Sequence, residues 1–129
     1  MKAKSYPTEA QEQSALFSWV ELAKNKDPRI GLLFHIANSG GYVGGYSSNV
    51  ARVMGMKRQG VRKGIPDLCL PVPIGRWHGL FIELKRQKGR VSPDQTAWIE
   101  ALRGQGYCVV TCYGAQAAID WINKYLGLE

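Results

Sequence analysis

Apolar residues recur along this chain with two different periods. From Glu9 to about Lys24, the residues Leu16, Phe17, Val20 and Ala23 fall on one face at helical spacing. Thr8 followed by Gln11 is a capping-box signature for the start of that helix, and Asp27-Pro28 marks its end. Ile30 to Ile36 is an apolar run that predicts a first strand. Asn38-Ser39-Gly40-Gly41-Tyr42-Val43-Gly44-Gly45-Tyr46 predicts a loop, with glycines for flexibility and tyrosines as stacking surfaces. A short helix is expected from Ser48 to about Arg58, with Val50, Val53 and Met54 inward and Gly60 near its C-terminus.

Leu68 to Val72 and His78 or Gly79 to Lys85 read as a second and third strand. The connection between them is short enough for a hairpin. Ser92-Pro93-Asp94-Gln95 carries an N-cap serine, a proline at the first helical position and a glutamine at the third. It predicts a helix with Trp98, Ile99 and Leu102 inward, ended by Gly104 and Gly106. Tyr107 to Tyr113 predicts a fourth strand and Gln116 to Leu126 a last helix. The order α-β-α-β-β-α-β-α predicts an α/β layer fold, with residues 1–129 as a single domain.

Charge sharpens this picture. The chain carries a net +7, and the span from Arg52 to Arg90 holds ten basic residues and two acidic ones. Those two acids are Asp67 and Glu83, and the remainder of the chain nets −1. A basic field around an isolated acidic pair suits a polyanion brought to a bound cation. The N-terminus lacks the apolar core of a signal peptide, and no apolar stretch approaches a membrane span, so a cytoplasmic protein with no membrane partner is expected. Cys69, Cys108 and Cys112 have no paired spacing and read as small apolar residues in strands.

The candidate chemistry lies in Gly64-Ile65-Pro66-Asp67-Leu68 and Phe81-Ile82-Glu83-Leu84-Lys85. Glu83 and Lys85 are two apart in a strand and project from one face. The hairpin brings Asp67, at the start of the neighbouring strand, beside them. Two converging carboxylates suit a hard cation with oxygen ligands, and a lysine beside them suits charge developing on a phosphate. Arg62 and Lys63 lead into Asp67, with Lys57 and Arg58 just before; Arg86, Lys88 and Arg90 follow Lys85. All seven are candidate phosphate contacts. His35 reads as a strand residue rather than a base. Trp77 and His78 either stack on DNA or cover the edge of the core.

In order along the chain, Glu9-Ala10-Gln11-Glu12-Gln13, His35-Ile36-Ala37-Asn38, Gly64 to Leu68, Gly79 to Lys85 and Ser92 to Gln95 resemble the virus-type replication-repair nuclease (VRR-NUC) family of the PD-(D/E)xK superfamily. The resemblance implies a restriction-endonuclease-like mixed β-sheet flanked by helices. It implies an Mg²⁺- or Mn²⁺-dependent endonuclease acting on DNA phosphodiesters, with Asp67, Glu83 and the Leu84 carbonyl as metal ligands and Lys85 as the catalytic lysine. The family adds a glutamate from the first helix. Glu9, four before Gln13, fits that spacing better, and Glu12 is the alternative. Gln95 resembles the glutamine that follows the catalytic strand, although its capping role alone explains a glutamine there. Members of this size resemble viral or prophage proteins that dimerise and cut branched DNA such as four-way (Holliday) junctions. Two readings stand beside this one: a non-catalytic DNA-binding module on the same fold, and a nuclease of this superfamily without junction preference.

Overall fold

The computed structural model describes residues 5–37 and 46–128. Helix α1 spans Glu9–Ala23. Its capping box forms as the sequence predicts: the Thr8 hydroxyl accepts from the Gln11 amide at 3.1 Å, and the Gln11 side chain accepts from the Thr8 amide at 2.8 Å. The run after Asp27 departs from expectation. Pro28–Leu32 is a 3-10 turn, because the Asp27 carboxylate caps the Arg29 amide and Pro28 supplies a helical φ. The first strand is therefore only β1, Phe34–His35.

Helix α2 spans Tyr46–Arg58. The glycine-rich segment before Tyr46 lies outside the described residues. Of the three residues expected inward on α2, Val53 is half-buried, but Val50 and Met54 are exposed. The periodicity is helical, yet among the described residues that face meets no second layer.

Strand β2 covers Leu68–Leu70, and its ladder stops at Pro71, short of the predicted Val72, since proline has no amide to donate. Strand β3 covers Leu80–Lys85 and pairs antiparallel with β2, Leu68 opposite Ile82. Helix α3, Pro93–Gly104, crosses over to β4, Cys108–Tyr113, which lies parallel to β3. Helix α4, Ala115–Leu126, closes the order. The sheet runs β1-β2-β3-β4, antiparallel except for the last pair. This is the expected α/β mixed sheet between helices.

Side chains alternate across such a sheet. Leu68, Leu70, Leu80, Ile82, Leu84, Val110 and Cys112 point to one face, where Leu16 and Val20 of α1 and Ala118 and Ile122 of α4 complete the buried core. Asp67, Phe81, Glu83, Lys85 and Val109 point to the other, where α3 lies against β4. As an inner strand, β3 is covered on both faces, so its two charged residues are buried with its apolar ones. The three cysteines are unpaired thiols: Cys69 and Cys112 are buried and Cys108 half-buried. Among the described residues no helix is long and apolar enough to cross a membrane.

Candidate metal centre

The hairpin register sets the site. With Leu68 opposite Ile82, Asp67 falls opposite Glu83, at the end of the sheet where β2 begins. Asp67 Oδ2 accepts from the Leu84 amide at 2.9 Å, so the backbone of β3 holds the carboxylate of β2. The N–H and C=O of a strand residue point to the same side. The Leu84 carbonyl therefore also faces the side of Asp67.

Gly64 and Pro66 deliver Asp67 to this point. Gly64 has φ +89, and a Cβ there would meet the backbone of Asp94 at 2.8 Å. Only glycine fits both the left-handed conformation and this contact with the first turn of α3. Lys63 pairs with Asp94 across the same contact at 3.5 Å, in the open.

Glu83 is 1% exposed. Its Oε2 accepts from Gln95 Nε2 at 2.9 Å and lies 3.5 Å from Lys85 Nζ, while Oε1 has no hydrogen-bond partner among the described residues. A buried carboxylate oxygen without a partner is costly. Glu9 reaches the same place from the N-terminal turn of α1. Glu9, Asp67 and Glu83 each offer a carboxylate oxygen, all within 4.8 Å of one another. Burial first, then the charge of Asp67, push the Glu83 carboxyl up to about 8, against the pull of Lys85. Burial and Asp67 also raise Glu9, with Lys85 and Arg86 opposing. Like charges held this close with one buried oxygen unsatisfied fit a divalent cation with oxygen ligands.

Glu12 does not join the cluster. Its Oε1 accepts from the Ala115 amide at 3.2 Å, across 103 residues of sequence. Helix α4 begins at Gly114, which has no side chain to cap it, and Glu12 supplies a carboxylate to that N-terminus. Gly114 in turn donates to the Lys85 carbonyl at 2.8 Å. The two glutamates of α1 thus have separate partners.

Gln95 makes two contacts with its side-chain amide. Its Oε1 accepts from the Ser92 amide at 2.8 Å, closing the capping box, while its Nε2 holds Glu83. Lys57, Arg58, Arg62, Lys63, Arg86, Lys88 and Arg90 are all exposed. Arg86 and Lys88 also touch Tyr6: Arg86 Nη2 donates to its carbonyl at 3.5 Å, and Lys88 Nζ stands 5.6 Å from its ring centre. His35 Nδ1 lies 3.1 Å from the Asp67 carbonyl, so it touches the backbone that carries a site residue. Sequence reasoning gave His35 no such place, since the contact depends on the β1–β2 register. Trp77 packs against the core beneath Arg76, at the opposite end of β3 from Glu83.

A mixed sheet with an inner strand that carries a buried Glu and Lys beside an Asp, with an α1 glutamate and an α3 glutamine closing in, is a nuclease-type α/β fold. The VRR-NUC domain profile matches residues 35–116. The chain belongs to that family, a family of nucleases. A solved structure described as a "VRR_NUC domain protein" is similar over 97% of this chain and 93% of its own, at 29% identity and a TM-score of 0.75. No curated protein matches.

Proposed function

We propose that this protein is a metal-dependent DNA endonuclease whose ligands are Asp67, Glu83, the Leu84 carbonyl and Glu9. One observation carries the reading: three carboxylates within 4.8 Å of one another, one of them buried with an unpartnered oxygen beside a lysine. A bound Mg²⁺ or Mn²⁺ would lower the pKa of water and offset charge on the scissile phosphate. Lys85, 8% exposed and aimed at Glu83, orients the attacking water and meets the negative charge that develops on phosphorus oxygens. Gln95 keeps Glu83 Oε2 in place. Lys57, Arg58, Arg62, Lys63, Arg86, Lys88 and Arg90 hold the backbone without reading bases. We assign branched DNA, such as a four-way junction, as the substrate, cut by a homodimer that presents two sites to two symmetry-related strands.

Cleavage of a labelled four-way junction and a matched linear duplex tests this, with Mg²⁺, Mn²⁺ or EDTA, for wild type and Lys85→Ala. Metal-dependent junction cutting that the variant loses is the expected result. Equal cutting of the duplex keeps the nuclease and removes the junction preference. Binding of both DNAs without cutting replaces the nuclease with a DNA-binding module.

A further inference from the structure

The chain leaves the sheet just after β1 and returns at β2, and both ends of this excursion meet at the candidate site. The Ile36 amide donates to the Asp67 carbonyl at 2.6 Å, where the strands part. Helix α2 lies within the excursion, so the sequence that carries it enters and leaves beside a site carboxylate. From residue 28 to residue 66 the chain holds no Asp or Glu.

On α2, Val50, Met54, Lys57 and Arg58 follow at i, i+4, i+7 and i+8, which is one helical face. Val50 is 52% exposed and Met54 53%, and the two cations that complete the stripe are exposed as well. With Lys57 and Arg58 exposed and no acid in the surrounding sequence, this face is the charge complement of a phosphate backbone. Duplex DNA offers phosphates but keeps its base faces stacked. DNA at a branch offers both, phosphates beside apolar base faces that are open to contact. That pairing complements an apolar stripe running into a cationic one.

We propose that this face of α2 docks on unstacked bases at a DNA branch point, with Lys57 and Arg58 on the flanking phosphates, and gives the site its preference for branched over linear DNA. The inference deepens the nuclease reading and rests on it for the substrate, but it is read by binding alone. Wild type, Val50→Ser/Met54→Ser and Lys57→Gln/Arg58→Gln are compared by fluorescence anisotropy in EDTA, on a four-way junction and a linear duplex. Wild type binds the junction tighter. The double-serine variant loses about fivefold or more of junction affinity with duplex affinity unchanged. The double-glutamine variant weakens both and lowers the salt slope by up to about 2. Both pairs are at exposed positions, and unchanged circular dichroism with a retained Mg²⁺-induced rise in Tm confirms an intact site. An unchanged junction-to-duplex ratio in the serine variant overturns the proposal, as does a wild type that binds the two DNAs equally or neither. A serine variant that falls from dimer to monomer in sedimentation overturns it too, because the occupant is then a second copy. Loss of the ratio in a protein that cuts no DNA sinks the nuclease and leaves this surface standing.

Discussion

Gln95 donates to Glu83 at 2.9 Å with one end of its amide, while the other end accepts from the Ser92 amide at 2.8 Å. The start of α3 and the position of a candidate metal ligand are thus one structure. Removing either partner of the cap costs about 1 kcal/mol of stability. Ser92→Ala therefore lowers Tm with Mg²⁺ affinity unchanged. Gln95→Ala lowers Tm by a similar amount and weakens Mg²⁺ binding and cleavage as well. Thermal melts and calorimetric metal titrations of the two variants make the comparison.

Glu83 sets a pH dependence with a definite sign. Its carboxyl is raised from 4.5 to about 8, so the folded state holds a proton that the unfolded state releases earlier. Its contribution to stability is full below about pH 4.5 and is lost as pH rises through about 8. Metal-free protein therefore melts at lower temperature as pH rises across that window. The rise in Tm on adding Mg²⁺ grows across the same window, because the ion needs the carboxylate. Glu83→Gln flattens the metal-free dependence, raises Tm at about pH 9 and abolishes the Mg²⁺ effect. Melts from about pH 4 to about pH 9 with Mg²⁺ or EDTA check all of these.

The two glutamates of α1 separate by their conservative variants. Glu9→Gln weakens Mg²⁺ binding and cleavage, since an amide replaces a candidate ligand. Glu12→Gln keeps an oxygen for the Ala115 amide and stays near wild type in metal affinity, whereas Glu12→Ala uncaps α4 and costs about 0.5–2 kcal/mol. Metal titration and melting of the three variants distinguish the roles. A drop in metal affinity for Glu12→Gln equal to that for Glu9→Gln refutes the separation.

Gly64 and Gly60 make a matched pair. Both have positive φ, but a Cβ on Gly64 would meet the Asp94 backbone at 2.8 Å, and one on Gly60 would meet nothing within 4 Å. Gly60→Ala costs about 1 kcal/mol of backbone strain. Gly64→Ala costs at least about 2 kcal/mol, a fall of roughly 7 °C in Tm, and loosens the segment that delivers Asp67. Chemical denaturation of both variants gives the difference directly.

Element order and the Asp67, Glu83 and Lys85 constellation were legible because hairpin, strand period and capping signals are local. What stayed ambiguous depended on tertiary placement. Glu9 and Glu12 are three apart on one helix, so the rotation of α1 over the sheet decides which reaches the acids and which reaches Ala115. Gln95 fits a capping box whether or not its amide nitrogen finds a carboxylate. The apolar run from Ile30 to Ile36 has strand composition, but Asp27 and Pro28 wind its first half into a 3-10 turn. Val50 and Met54 keep a helical period that says nothing about what, if anything, lies opposite.

The hydrogen bond from Ile36 to Asp67 closes the neck of the segment that holds α2. Closing a longer segment through such a neck costs little, about 0.6 kcal/mol for each doubling of its length. The stretch between these two residues is therefore free to lengthen, shorten or change its surface while the acids stay where the hairpin puts them. The carboxylate cluster and the exposed face of α2 sit on different parts of the chain, so the face is open to change without rebuilding the cluster.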